Sequence, residues 1–349
     1  MLVVRAIKAT DLDALYGMAS QVGSGMTTLK PDMKMLGDRL DIACASFAET
    51  IPPEKRDYMF VMEDGRDGRL AGVCAIKGSV GLDEPFYNYR IGTLVHSSRE
   101  LNVFSRMETL YLSNDLTGST ELCSLFLHPD YRHGNNGKLL SKSRFLFIAQ
   151  FQHLFTEKLI AEMRGFQAPD GSSPFYEGLG RHFFKMDFNH VDDLTALGKK
   201  SFIAELMPRQ PLYVDYLPEA ARATIGKVHL STAPARRLLE QEGMHFEGYV
   251  DIFDAGPVLQ ARVSELRALR DSTLAVVDVD NDMTHACAPQ LEPVLVSNTN
   301  LKDFRMILSE AAVVNGVIDL SAQDQKLLHC HAGDTVRTLT LNARKNSHV

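Results

Sequence analysis

Cysteine is scarce in this sequence, and its arrangement excludes a disulfide framework. Cys44, Cys74, Cys123, Cys287 and Cys330 are five thiols scattered over 349 residues, odd in number and without a Cys-x-x-Cys pair. Such a set reads as small buried hydrophobes in a reducing cytoplasm, the location expected for the chain. No run of 18 apolar residues occurs, so no membrane-spanning helix is predicted. Met1–Lys8 is strand-like and charged, which predicts no signal peptide. A basic stripe is also missing, and with a net charge of −7 this argues against a nucleic-acid partner. No Gly-x-Gly-x-x-Gly occurs, and the glycine run and Gly-Lys-Ser/Thr of a Walker A loop are absent. His329-Cys330-His331 stands without a second ligand cluster, and neighbours on a strand point to opposite faces, so no metal is expected. Asp278-Val279-Asp280-Asn281-Asp282 resembles half of a calcium loop, but without the glycine and closing glutamate it reads as a turn.

What is present centres on residues 120–155. Glu121–Leu127 is dense in apolar residues and reads as a buried strand, stopped by Pro129. Arg132–Gly137 is a short loop rich in Gly and Asn, and Lys138–Phe155 has helical spacing with Leu140, Phe147, Phe151 and Leu154 on one face. A strand, a tight loop and a helix start leave first-turn N–H groups unpartnered and aimed at the loop, a good phosphate receptor. Gly134 and Gly137 let a ligand approach the backbone, and Asn135 and Asn136 tolerate positive φ better than other non-glycine residues.

Around this centre the pattern predicts an α+β chain of two domains. Strand Leu2–Ile7 precedes helices at about 11–20 and 31–50, with the Gln21–Leu29 loop of small and hydroxyl residues between them. Strands follow at Tyr58–Glu63, Arg69–Val80, Phe86–His96 and Met107–Asn114, the first two joined by the turn Asp64-Gly65-Arg66-Asp67-Gly68. After the central unit come strand Leu159–Arg164, a short helix over Ser172–Gly180, strand Phe183–Phe188, a helical insertion at about 189–231, helix 233–242 and strand His245–Phe253. Pro257–Arg270 reads as a helix leaving the main domain. The expected boundaries are 1–256 for the main domain, 257–273 for a connecting helix and 274–349 for a β-rich, barrel-like domain. In the last, Leu320–Asp324 and His331–Val336 resemble a segment of small double-psi barrels.

The loop Arg132-His133-Gly134-Asn135-Asn136-Gly137 resembles the pyrophosphate-binding motif Gln/Arg-x-x-Gly-x-Gly/Ala of the acyl-CoA N-acyltransferase (GNAT) superfamily, with Asn135 in place of its first glycine. Within that superfamily several segments, in order, resemble the arginine N-succinyltransferase family. They are Gly25-Met26-Thr27-Thr28-Leu29, Glu121–Leu127, Glu162-Met163-Arg164-Gly165, Ser173–Tyr176, Gly180–Phe184 and Ile225-Gly226-Lys227-Val228-His229. The resemblance covers nearly the whole chain. It implies a GNAT-like fold, with a mixed, mainly antiparallel sheet flanked by helices. It also implies transfer of succinyl from succinyl-CoA, a co-substrate and not a tightly bound cofactor, to the α-amine of L-arginine. A relative using ornithine or another acyl-CoA, or a non-catalytic subunit, is the alternative. Homo- or hetero-oligomers with a related chain are expected partners.

The same resemblance places a succinyl-CoA contact at Leu125, on a central strand splayed from its neighbour, and the proton donor at His229. Leu127, Arg132, His133, Gly134, Asn135, Asn136 and Gly137 complete the expected CoA site. Glu162, His182 and Tyr176 are further acid–base candidates. Arginine requires an acidic group for its guanidinium, from Glu162, Glu177 or Glu121, and a cation or N–H for its carboxylate, from Arg164, Arg181 or the Gly25–Thr28 loop with Thr27. The succinyl carboxylate requires another cation, with Arg90 and Lys227 as candidates.

Overall fold

The computed structural model describes residues 1–22, 26–196, 198–278 and 292–343. The C-terminal part of the calcium-like turn, Cys287 and Gly25 lie outside these residues. Five early strands are β1 (Leu2–Ala6), β2 (Asp57–Asp64), β3 (Leu70–Lys77), β4 (Asn88–Ser98) and β5 (Val103–Ser113). The central strand is β6 (Thr120–Leu127), followed by β7 (Lys158–Glu162), β8 (Leu212–Tyr213), β9 (His245–Asp251) and β10 (Pro257–Arg262). The C-terminal strands are β11 (Thr273–Val277), β12 (Pro293–Asn298), β13 (Arg305–Glu310), β14 (Val313–Val314), β15 (Val317–Ile318) and β16 (Thr335–Thr340). They form one mixed, mainly antiparallel sheet, in the order β14-β15-β11-β16-β12-β13-β1-β2-β3-β6-β7-β10-β9-β4-β5-β8.

Helices cover both faces near its middle, and the side-chain period of two decides which residue meets which helix. Met59 and Val61 of β2 pack against helices α1 (Leu12–Ala19) and α2 (Met33–Phe47). Tyr58, Phe60 and Met62 face the opposite way, toward α3 (Asn136–Gln150). Helix α2 starts where the Asp32 side chain accepts the Met35 N–H at 2.9 Å, and it buries Leu36, Leu40, Ala43 and Phe47. Phe147 of α3 meets Phe60 and Phe304 edge-on, each at 4.9 Å between centroids, which ties the C-terminal segment to the core.

Three expectations give way. Pro257–Arg270 is not a connecting helix: β10 lies mid-sheet between β7 and β9, and only Arg267–Asp271 is α-helical. Residues 257–261 are buried on both faces, so their apolar run has no alternation to mark it as a strand. Phe183–Phe188 is not a strand either. Helix Arg181–Phe184 ends on Lys185 in a left-handed conformation, and a new helix starts at Phe188. The aromatic residues that favour a strand reading instead pack Phe184 and Phe188 onto Tyr176. Among the described residues no closed C-terminal barrel forms. β13 pairs antiparallel with β1, and β12, β16 and β11 extend the open sheet.

Candidate active site

The central strand carries a β-bulge. Val73 of β3 pairs with Phe126 and Ala75 with Cys123, so Ser124 and Leu125 together oppose Cys74. Ser124 adopts φ 54°, unusual for a residue with a side chain. Its hydroxyl is fixed on both sides, donating to Thr28 Oγ1 at 2.9 Å and accepting from Arg39 Nη1 at 2.7 Å. Arg39 is in turn held by Asp57 at 2.7 and 3.2 Å. On its other edge, β6 pairs in parallel with β7 only at Thr120–Leu159 and Glu121–Ile160. Beyond Glu121 no further pairing joins the two strands, and Ser124 and Leu125 of the bulge line the space beside them.

This space belongs to a cleft of about 1610 Å³. Leu125, Leu127, Arg132, His133, Gly134, Gly137, Thr27, Glu162 and Arg164 all line it. Asn135 and Asn136 are not among its lining residues. Gly134 alone takes the left-handed conformation, at φ 56°, while Asn135 stays at φ −102°. The displaced glycine thus supplies the turn, and Asn136 enters the helix with its side chain donating to Tyr131 O at 3.0 Å. Arg132 is fixed by Nε donating to Leu127 O at 2.8 Å and by the Phe126 ring 5.8 Å from its guanidinium carbon. Among the described residues nothing accepts the N–H groups of Gly137 and Lys138, which open the first turn of α3.

At the β7 end the cleft is acidic. Glu121, Glu162, Asp251 and Asp254 line it, and burial raises the pKa of each. Asp254 is occupied by the fold: its carboxylate accepts the Gly165 and Gly256 N–H groups at 2.7 and 2.8 Å. Asp251 likewise accepts from Phe253 and Asp254 N–H at 2.7 and 2.8 Å. Glu162 accepts from Asn88 Nδ2 at 2.8 Å, and the Asn88 Oδ1 is buried without a partner. Arg164 stands beside this group, hydrogen-bonded to Gln167, with its Nε buried and unpartnered. Sequence reasoning missed Asp251 and Asp254, whose Asp-Ile-Phe-Asp-Ala-Gly turn carries no chemical signature by itself.

His229 is half-buried on the loop beside Arg164, whose carbonyl accepts its backbone N–H at 2.9 Å. Its Nδ1 accepts the Ser231 N–H at 3.1 Å and lies 2.6 Å from Ser231 Oγ. In the neutral ring the proton therefore sits on Nε2. Burial and the Arg164 charge lower its pKa from the usual 6.5. The cleft wall here includes Arg164, Ser231 and Thr232, and His229 is not among the lining residues.

The other candidates fall away from the cleft wall. Tyr176 is buried and donates to Met186 O at 2.9 Å, Glu177 pairs with Arg181 at 3.1 Å, and Arg90 lies 3.9 Å from Asp115. His182 and Lys227 are exposed. His329 pairs with Asp303 at 2.6 Å, and Cys330 is buried.

Family models match in two blocks, the arginine N-succinyltransferase beta subunit over residues 2–268 and its C-terminal domain over 284–340. The chain belongs to the arginine N-succinyltransferase family. Its relatives include arginine N-succinyltransferase subunit beta of Pseudomonas aeruginosa, 47% identical over 344 residues and 99% of each chain. Arginine N-succinyltransferase of Citrobacter koseri is 47% identical over 348 residues, 99% of this chain and 100% of the relative. Among solved structures, arginine/ornithine succinyltransferase subunit AI from Pseudomonas aeruginosa superposes with a TM-score of 0.88 at 32% identity, covering 98% of this chain and 99% of that one. Family membership thus extends across the C-terminal strands as well as the cleft.

Proposed function

We propose that the protein transfers succinyl from succinyl-CoA to the α-amine of L-arginine, giving N2-succinyl-L-arginine and CoA in arginine breakdown. The observation that carries this reading is the convergence, in one cleft, of a bulged open strand, an unpartnered helix start and a buried acidic wall. The first two suit an acyl-CoA and the third suits a cationic amino acid. Membership of the family, with named relatives aligned over the full length, supports the specific pair of substrates.

In this reading the CoA pyrophosphate lies against the N–H groups of Gly137 and Lys138, with Arg132 and His133 beside it. The pantetheine runs along the free edge of β6 past Leu127, and the backbone at Leu125 polarises the thioester carbonyl. Glu162, next to Glu121, receives the cationic part of arginine. Arg164 and the Thr27 hydroxyl receive its carboxylate. The neutral amine attacks the thioester carbon, the C–N bond forms and the C–S bond breaks. One amine proton ends on the CoA sulfur. A neutral His229 suits this transfer, taking the proton from nitrogen, with Ser231 as its link to the cleft, and delivering it to the thiolate.

Cytoplasmic location and assembly with like or related chains belong to the same reading. The free thiols among the described residues support the first, and the subunit names of the relatives support the second. A preference for ornithine is the rival that a relative favours, since the solved Pseudomonas aeruginosa chain is a subunit of an arginine/ornithine succinyltransferase. Product masses from a panel of acyl-CoAs with arginine and ornithine test the proposal. Succinylarginine should dominate, and no turnover of succinyl-CoA with arginine by the chain alone would overturn it in favour of a non-catalytic subunit.

A further inference from the structure

Arg144 is the buried cation that the site leaves unexplained. It is 2% exposed, it lies on α3, and it lines the cleft. The other buried cations, Arg5, Arg56, Lys142, Arg267 and Arg305, each lie against a carboxylate. Arg144 does not. Its Nε donates to Ser141 O at 3.2 Å and its Nη2 to Ser141 Oγ at 3.0 Å, both within its own helix. Among the described residues its Nη1 has no acceptor. A guanidinium taken out of water without a counter-charge costs several kcal/mol, and this one is kept against that cost.

Its place in the cleft narrows what it is for. Gly137, Leu140 and Arg144 form one stripe of α3 along the cleft, at helical spacing. Seven residues of helix set Arg144 about 10 Å beyond the phosphate-binding first turn. Cys74 and Cys123 flank the bulge, and Cys74 Sγ lies 3.4 Å from Leu140 O and 3.6 Å from Ser143 Oγ, which sets the Leu140–Arg144 turn of α3 at the thioester end of the cleft. Both thiols are held protonated by burial, with Cys123 pushed up to about 12, so neither supplies a negative charge. The second cation at the bulge, Arg39, is already engaged by Asp57 and Ser124. The acidic wall lies toward β7, around Glu162.

We propose that Arg144 is the receptor for the free carboxylate of the succinyl group, and that it selects an acyl-CoA ending in a carboxylate over a neutral one of equal length. The inference rests on the succinyl-transfer reading above. It divides the cleft into a cationic acyl end and an acidic amine end, so that each charged substrate meets its opposite.

The test compares succinyl-CoA with butyryl-CoA, which replaces the carboxylate by a methyl group, in the wild type, Arg144→Gln and Arg144→Lys. In Arg144→Gln, kcat/KM for succinyl-CoA should fall by about a hundredfold to a thousandfold, the scale of a lost buried charge pair. Butyryl-CoA turnover should stay within a few-fold, and Arg144→Lys should recover part of the succinyl preference. Calorimetric binding in the absence of arginine provides a second readout: the Gln variant should lose affinity for succinyl-CoA while holding free CoA as tightly as the wild type. Equal losses for both thioesters and for free CoA would make Arg144 a structural or pantetheine contact and overturn the proposal, as would an unchanged succinyl preference. A wild type that binds but never transfers succinyl would instead overturn the underlying reading.

Discussion

Glu242→Gln should be among the most destabilising isosteric changes in the chain. Glu242 is fully buried at the end of helix Ala233–Gln241 and holds two cations. Lys142 of α3 reaches it directly, and Arg267 reaches it through Nη2 at 3.0 Å and Nε at 3.1 Å. Removing its charge leaves Lys142 and Arg267 facing each other in the core with no anion. Removing one partner of a buried pair costs about 3–5 kcal/mol. At about 2 °C per kcal/mol for a chain of this size, the thermal midpoint should fall by about 6–10 °C. Lys142→Met is the informative contrast. The cluster holds one more cation than anion, and burial already lowers the Lys142 pKa. This variant leaves Arg267 and Glu242 balanced, so its cost should stay below about 1.5 kcal/mol. Calorimetric unfolding of both variants at neutral pH is the assay. If Lys142→Met proves the more damaging of the two, the charge argument fails and packing alone governs the cluster.

Other outcomes follow from the cleft. His229→Ala should lower kcat by about 10²–10⁴ with little change in KM for either substrate. Because the ring must start neutral, wild-type kcat/KM should fall as pH drops through a value below 6.5, and this acid limb should vanish in the variant; an intact limb would assign it to another group. The buried carboxylates around Glu162 have raised pKa values, so the folded protein holds protons that the unfolded chain has released. Stability should therefore decline as pH rises above the ordinary value of 4.5, and arginine binding should release protons, seen as a buffer-dependent heat. Gly134→Ala meets open space but must adopt φ 56°, so it should cost about 1–2 kcal/mol and raise the KM for the acyl-CoA.

The strand, loop and helix start that line one end of the cleft were legible because their geometry is local. A strand, a glycine loop and a helix start are consecutive, and the loop keeps its character although the glycine is shifted to 134. The bulge was not legible, since serine carries no signal for positive φ and Ser124 is held there by Thr28 and Arg39 from distant elements. The acidic wall was half legible. Glu121 and Glu162 sit on the splayed strands themselves, whereas Asp251 and Asp254 arrive only because β9 and β10 return to pair beside β7. That return was hidden by the same burial that made Pro257–Arg262 look helical. Arg144 was hidden in another way: on a helix buried on most of its sides, no amphipathic pattern distinguishes a cleft-facing cation from a surface one.

A structure of the complex with CoA and arginine tests the central claim most directly. The pyrophosphate should lie on the Gly137 and Lys138 N–H groups, the sulfur beside Leu125, and a cationic group of arginine on Glu162. CoA bound away from the opening between β6 and β7, or arginine bound outside the acidic wall, would contradict the account.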